Sequence, residues 1–336
     1  MDRNHQKMLF ILGRGRSGTT LLSSLLNGNK EICVAPECLF LMNLACKYEN
    51  IHFNTTLIDK FCRDIFLESR IKIWSFNQNQ LSEFLRKNIK TGYTFKQAVK
   101  LVYSAHAYFS GKHSAVILGD KNPHYALFSN KLFSIFPEAY WIHIIRDPRA
   151  NIASYKRVRF DYSNTGILAG RWREYNEHIL NTELCRTGKY LLIRFEDLLR
   201  DTKNNLDNIM KFLNIDVPGH RRISLSVPDH LKSIPWHKKL SGNLLQSSID
   251  EWKTELSPKD IIVTEKLCEE LMEQFHYQPQ ALSGNERNSL WVVIYSCLAK
   301  LTVFMEKWLF TFHIELRSFI IATYRRLTLK GYNFIF

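Results

Sequence analysis

MLFILGRGRSGTTLL, residues Met8–Leu22, is the stretch on which the fold turns. Met8 to Leu12 is an apolar run of strand length, and an apolar helix spans Leu21 to Leu26. Between them Gly13, Gly15 and Gly18 sit in the pattern G-x-x-x-x-G-T-T. A loop of this kind curls so that successive backbone N–H groups face a phosphate on the following helix's N-terminus. In an ATPase or kinase the residue after the last glycine is a lysine that reaches the β- and γ-phosphates, and the next Ser/Thr holds Mg²⁺. Here Thr19 occupies the lysine's place, with Thr20 after it. The cation has moved upstream to Arg16, with Arg14 nearby. Thr19 and Thr20 suit a single phosphate, and nothing in the loop is placed for a triphosphate tail.

Outward from this loop, the 336 residues are enough for one sizeable α/β domain with additions. The formal net charge of +14 suits anionic ligands or anionic membrane surfaces. Nucleic acid is not the expected partner, because no zinc-finger, helix-turn-helix or RNA-recognition signature is present. The seven cysteines are odd in number, scattered, and form no C-x-x-C pair, which points to free thiols in a reducing compartment. The apolar N-terminal run of five residues is too short for a signal-peptide core, so a cytoplasmic enzyme is expected. The twelve histidines show no metal-ligand spacing, and no metal is expected; His143 in a buried strand and His124 beside Pro123 read as structural.

Short apolar runs recur at Met8–Leu12, Ala115–Leu118, Tyr140–Ile145 and Tyr190–Ile193, with helix-period segments such as Asn205–Leu213 and Ile261–Gln274 between and after them. The alternation predicts an α/β fold, a central parallel sheet flanked by helices. Ligands of such sheets sit beyond the strands' C-terminal ends. The loop after Leu12, Asp120-Lys121 after Leu118, and Arg146-Asp147 after Ile145 all fall there. Residues from Lys47 to Ser114 are expected to form helices that shape an acceptor pocket.

A second motif, Ile144–Tyr155, IIRDPRANIASY, resembles the 3′-phosphate site of sulfotransferases, which place an arginine at a strand end and a serine eight residues later; Arg146 and Ser154 have that spacing. Arg146 offers a planar fork to phosphate oxygens, and Ser154 adds a donor about two helical turns along. Pro148 suits the first turn of the intervening helix. Two anion sites on one sheet imply a ligand phosphorylated at both ends.

These motifs resemble those of sulfotransferases that use 3′-phosphoadenosine 5′-phosphosulfate (PAPS). Arg16-Ser17-Gly18-Thr19-Thr20 matches the family's 5′-phosphosulfate loop without a gap, and Arg146 and Ser154 match its 3′-phosphate pair. The resemblance implies that Arg14, Gly15, Arg16, Ser17, Gly18, Thr19 and Thr20 hold the phosphosulfate. It implies a hydroxyl-bearing acceptor such as a lipid, sterol, glycolipid or glycan. Glu37 stands where tyrosylprotein sulfotransferases and their bacterial relatives carry a glutamate base, and the histidine motif of the steroid and phenol enzymes is absent. Lys121 in Asp120-Lys121-Asn122-Pro123 resembles the lysine that, with Arg16, neutralises charge on the departing bisphosphate. Phe195 in Phe195-Glu196-Asp197-Leu198 replaces a tyrosine near the adenine, and reads equally as plain core. The segment Ser247–Lys253 resembles the family's closing segment, but Glu251 stands where a base should precede Trp252. Lys238, Lys239 or Lys253 is the expected substitute. The family's arginine four residues after Ser154 falls at Val158, between Arg157 and Arg159. The resemblance covers about Met8 to Tyr277. A P-loop kinase and a noncatalytic membrane-associated nucleotide-binding protein are the rival readings.

Residues 1–280 are expected to form the sulfotransferase domain and residues 281–336 a basic amphipathic helical extension. Leu301, Met305, Trp308, Phe312, Leu316 and Phe319 recur at steps of three and four, with Lys300, Lys307, His313 and Arg317 elsewhere around the wheel and Arg325, Arg326 and Lys330 beyond. Peripheral binding to an anionic inner membrane surface through residues 290–330, packing in the core, and a homodimer seam all produce such a stripe. His237 after Trp236 is a further candidate for the active site.

Overall fold

The fold is that of a computed structural model, described for residues 5–158, 161–215, 249–280, 290–310 and 312. Five strands, β1 (Lys7–Leu12), β2 (Ile32–Ala35), β3 (Ile117–Lys121), β4 (Tyr140–Ile145) and β5 (Tyr190–Arg194), form one parallel sheet in the order β2-β3-β1-β4-β5. β2 and β4 are buried throughout, as is β1 from Met8 on, and all three are mainly apolar, as strands covered on both faces are. In β1, Met8, Phe10 and Leu12 enter one core, while Leu9 and Ile11 enter the other with Leu21, Leu22, Leu25 and Leu26.

The helices in the first half are α1 (Thr19–Asn27), α2 (Phe40–Tyr48), α3 (Ile58–Phe66), α4 (Gln78–Asn88), α5 (Phe95–Phe109) and α6 (Ser129–Ile135). The expected helices between Lys47 and Ser114 are thus α3 to α5; Asn77 and Thr94 start the last two with capping boxes. The second half adds α7 (Pro148–Val158), α8 (Thr165–Leu180), α9 (Phe195–Arg200), α10 (Thr202–Phe212), α11 (Trp252–Glu255), α12 (Pro258–Gln274) and α13 (Leu290–Leu309).

Two strand readings shift. The short β2 carried no sequence expectation, and β3 extends through Lys121, so Asp120 and Lys121 end the strand instead of following it. Asp120 can lie in a buried strand because the Tyr103 hydroxyl donates to its carboxyl, and burial pushes its pKa up to about 7.

The described part of the C-terminal extension is no free arm. One face of α13 packs on α8, where Ala299 and Val303 are buried. A Cβ on Gly166 would come within 2.5 Å of the Tyr295 ring, and one on Gly170 within 2.4 Å of the Ala299 Cβ, so small residues admit the helix. Glu306 is buried at this seam, accepting from Arg171 Nη2 and the Tyr175 hydroxyl, each at 2.6 Å. The opposite face leaves Leu290, Val293, Ile294, Leu298, Leu301, Phe304, Met305 and Trp308 exposed. Leu316, Phe319, His313, Arg317, Arg325, Arg326 and Lys330 lie outside the described residues.

Candidate active site

β1 is flanked by β3 and β4, so the loops at the C-terminal ends of these three strands converge. The loop after β1 turns through left-handed backbone at Arg16 (φ 67°) and Gly18 (φ 95°). Gly18 precedes Thr19, the first residue of α1, and no side chain caps the helix's opening N–H groups. That leaves donors and the positive end of the helix dipole for an anion. Gly18 is required on two counts: its φ, and a Cβ there would lie 2.2 Å from the Phe195 ring. Gly15 is equally confined, since a Cβ would come 2.3 Å from the Tyr155 hydroxyl.

α7 brings the second motif onto this loop. Arg16 Nε donates to Ser154 Oγ at 3.0 Å, and Arg146 Nη1 donates to the Arg16 carbonyl at 3.0 Å. Asn151, which the sequence reading did not single out, donates to the Gly15 carbonyl at 2.9 Å and to Ser17 Oγ at 3.1 Å. It lies one helical turn before Ser154 on the same face, so helical spacing was the available signal. Arg146 stacks over Phe195, 4.6 Å from the ring centroid. Phe195 thus backs both motifs, lying against Arg146 and against Gly18. Glu196 holds the second motif, accepting from the Asp147 N–H and the Tyr277 hydroxyl, both at 2.9 Å. Burial, with the like charges of Arg146 and Arg157, lowers the Arg16 pKa to about 10, which leaves it cationic at neutral pH. The outcome is a positively charged recess at a helix N-terminus.

Arg14 does not join this recess. It is 1 % exposed, its Nη2 donates to Asp161 at 2.6 Å, and it lies against the Tyr155 and Tyr175 rings. Alternating residues of the turning loop point opposite ways, so Arg14 braces the loop from within while Arg16 faces outward.

Glu37 lies between β2 and α2, beside the loop. Lys121 Nζ donates to its Oε1 at 2.5 Å and to Thr20 Oγ1 at 3.2 Å, linking Glu37 to the start of α1. Arg70, unforeseen in the sequence, donates to Glu37 Oε2 at 2.5 Å. It stands in a short 3₁₀ helix, Ser69–Ile73, 33 residues from Glu37, with no motif to mark it. Burial pushes the Glu37 carboxyl up, but Lys121 and Arg70 outweigh it and hold its pKa at about 2.

Lys253 is not drawn to the recess: it is about half exposed and pairs with Asp250 at 2.8 Å. Its segment is fastened by Arg157, which donates to Glu251 at 2.7 Å and also pairs with Glu255, and by Arg149 lying 4.0 Å over the Trp252 ring. The charge order at Glu251 is therefore reversed onto α7. Trp236, His237, Lys238, Lys239 and Arg159 lie outside the described residues. His143 is enclosed in β4 between the Tyr190 hydroxyl and Asn176, both at 2.9 Å, and burial holds its pKa down near 4. His124 sits 2.6 Å from Glu306. All seven cysteines are free thiols. Among the described residues no group of three or more His, Cys, Asp or Glu forms a metal cluster, and no helix is long and apolar enough to cross a membrane.

Carbohydrate sulfotransferase 1 of Mus musculus is 24% identical over 159 residues, 41% of this chain and 38% of that protein. The Homo sapiens protein of the same name is 24% identical over 169 residues, covering 44% and 41%. The chain therefore spans about two fifths of the length of these relatives. Among solved structures, the sulfotransferase domain of the Synechococcus PCC 7002 olefin synthase aligns with TM-score 0.50 at 24% identity, covering 82% of this chain and 97% of that one. The sulfotransferase domain from the curacin biosynthetic pathway gives TM-score 0.51 at 20% identity, covering 81% and 98%. Both likenesses concern the fold. The model of the sulfotransferase family matches residues 9–219, a span that runs from within β1 through β5 and takes in the glycine-rich loop, Arg146, Ser154, Glu37 and Lys121, and by that match the chain belongs to the sulfotransferase family.

Proposed function

We propose that this sulfotransferase takes its sulfuryl group from PAPS and passes it to an acceptor hydroxyl. The observation that carries the reading is the junction of the two anion motifs, where Arg16 reaches Ser154 and Arg146 reaches the backbone of Arg16. One recess then serves a 5′-phosphosulfate at the N-terminus of α1 and a 3′-phosphate on α7. In the transfer the acceptor oxygen forms a bond to sulfur, and the bond from sulfur to the 5′-phosphate oxygen breaks, its electrons remaining on the bisphosphate. Glu37 takes the acceptor's proton, while Lys121 and Arg16 offset the charge gathering on the leaving oxygen. A kinase reading finds no support here, because the residue following Gly18 is Thr19 and not lysine. Radiolabelled PAPS incubated with pools of lipid and glycan acceptors should label a product, and Glu37→Ala should abolish it. Full transfer by that variant would reject Glu37 as the base.

The outward face of α13 supports an acceptor at an anionic lipid surface. Eight large apolar side chains are exposed on a 20-residue helix whose only acid, Glu306, is turned into the core. Lys300 and Lys307 stand on the same helix, and residues 313–336 add Arg317, Arg325, Arg326 and Lys330 against Glu315 alone. Two such cationic stripes repel one another, whereas anionic headgroups attract each. The charge pattern therefore favours a lipid surface over a second copy, and with it a lipid-borne hydroxyl as acceptor.

A further inference from the structure

Glu37 is gripped by two cations whose other commitments differ. Lys121, on the last residue of β3, also reaches Thr20 of the phosphate-binding loop, so it can swing toward an anion bound there without moving its backbone. Arg70 holds the far oxygen, Oε2, from the turn Ser69–Ile73. That turn is anchored by buried Ile71, and Trp74 just after it donates from Nε1 to the Pro36 carbonyl at 3.0 Å. One turn therefore holds the Glu37 loop at two points, backbone and carboxylate. Arg16 from the loop after β1, which attracts, and Asp120 from β3, which repels, also act on Glu37.

We propose that Arg70 is a positioning residue of the transfer reaction: once the donor draws Lys121 away, Arg70 alone holds the Glu37 carboxylate ionised and aimed until the acceptor proton arrives. The proposal rests on the reading of Glu37 as base and Lys121 as charge partner of the donor. With both cations engaged, the carboxylate is a poor proton acceptor. Departure of Lys121 raises its basicity only when the donor is in place, so proton removal is tied to donor binding. Arg70 then limits that rise, and its fork keeps one oxygen occupied and the other directed at the incoming hydroxyl.

The test uses the full chain carrying ¹³C-carboxyl glutamate. Infrared difference spectra against Glu37→Gln isolate the Glu37 carboxylate band, which is titrated with pH with and without saturating 3′,5′-ADP. The expected result is a midpoint that moves up when 3′,5′-ADP binds, and moves up further, by about one pH unit or more, in Arg70→Met and Arg70→Gln with 3′,5′-ADP bound. Both variants should bind 3′,5′-ADP as the parent does, since Arg70 makes no contact with the loop's anion motifs. A midpoint unchanged in these variants overturns the proposal, as does a midpoint in the parent that ignores 3′,5′-ADP. Should either variant fail to fold, the parent's response to 3′,5′-ADP and the other variant still decide. Failure of the underlying reading looks different: Glu37→Gln then retains full transfer whatever Arg70 does to the titration.

Discussion

Arg16 and Ser154, 138 residues apart in sequence, meet through a 3.0 Å hydrogen bond from the guanidinium Nε to the hydroxyl. The bond makes one surface of two motifs, and a ligand with phosphates at both ends should gain from both. In calorimetry, 3′,5′-ADP is expected to bind more tightly than 5′-AMP or ATP·Mg²⁺. Arg146→Met should weaken 3′,5′-ADP by about 10- to 100-fold, the value of a charge-assisted contact of about 1.5–3 kcal/mol. Equal affinity for 3′,5′-ADP and 5′-AMP would remove α7 from the binding site.

Gly18→Ala should lower stability and binding together. A Cβ must enter a φ of 95° and approach the Phe195 ring to 2.2 Å, both at the start of α1. Strain of this kind costs about 1–3 kcal/mol. Thermal unfolding should show a drop of several degrees that excess 3′,5′-ADP does not restore to the parent value. Gly92→Ala is the control: its φ is also positive, but a Cβ there meets nothing within 4 Å, so only the backbone cost applies.

Acid should loosen the fold through Glu37. Its folded pKa, about 2, lies below the unfolded value near 4.3, so its contribution to stability is full above the unfolded pKa and is lost as pH falls through the folded one. The side chain is about a quarter exposed, so the contribution is of the order of 1–3 kcal/mol. Urea unfolding followed from pH 6 to pH 3 should show a steeper fall in the parent than in Glu37→Gln. Parallel slopes would mean that the contacts to Lys121 and Arg70 do not hold the carboxylate down in solution.

Sedimentation with vesicles tests the outer face of α13. Binding to phosphatidylglycerol-containing vesicles, weaker at high salt, is expected. Leu301→Glu with Phe304→Glu should abolish it while leaving 3′,5′-ADP affinity intact, because both side chains point away from α8. A concentration-dependent dimer that these changes dissolve, without vesicle binding, would make the face a self-association surface instead.

Much of the layout follows from local pattern. Strands covered on both sides are mainly apolar, which is why β1 and β4 stand out as runs; β5, a half-buried edge strand, reads as a run as well. The four residues of β2 are too few to carry such a signal. At the site, Arg16, Arg146 and Ser154 are recognisable because their spacing resembles that of the family's motifs. Arg14 stands only two residues before Arg16, yet it faces Asp161 and the core. Position in a turning loop decides direction, and residue type does not. Arg70 escaped notice because its role depends on where a short 3₁₀ helix comes to rest.

By itself the sequence determined the glycine-rich loop between β1 and α1 and the parallel α/β sheet, since each depends on contacts within a few residues or on strand and helix periodicity; Arg146 and Ser154 stood out through the family resemblance. Tertiary structure alone decided which cations meet which carboxylates: Lys121 and Arg70 on Glu37, Arg14 and Arg171 on Asp161. It also decided that α13 turns Glu306 inward and its apolar stripe outward. Those pairings join segments up to 147 residues apart, and their energies arise only when the order of strands brings them out of water together.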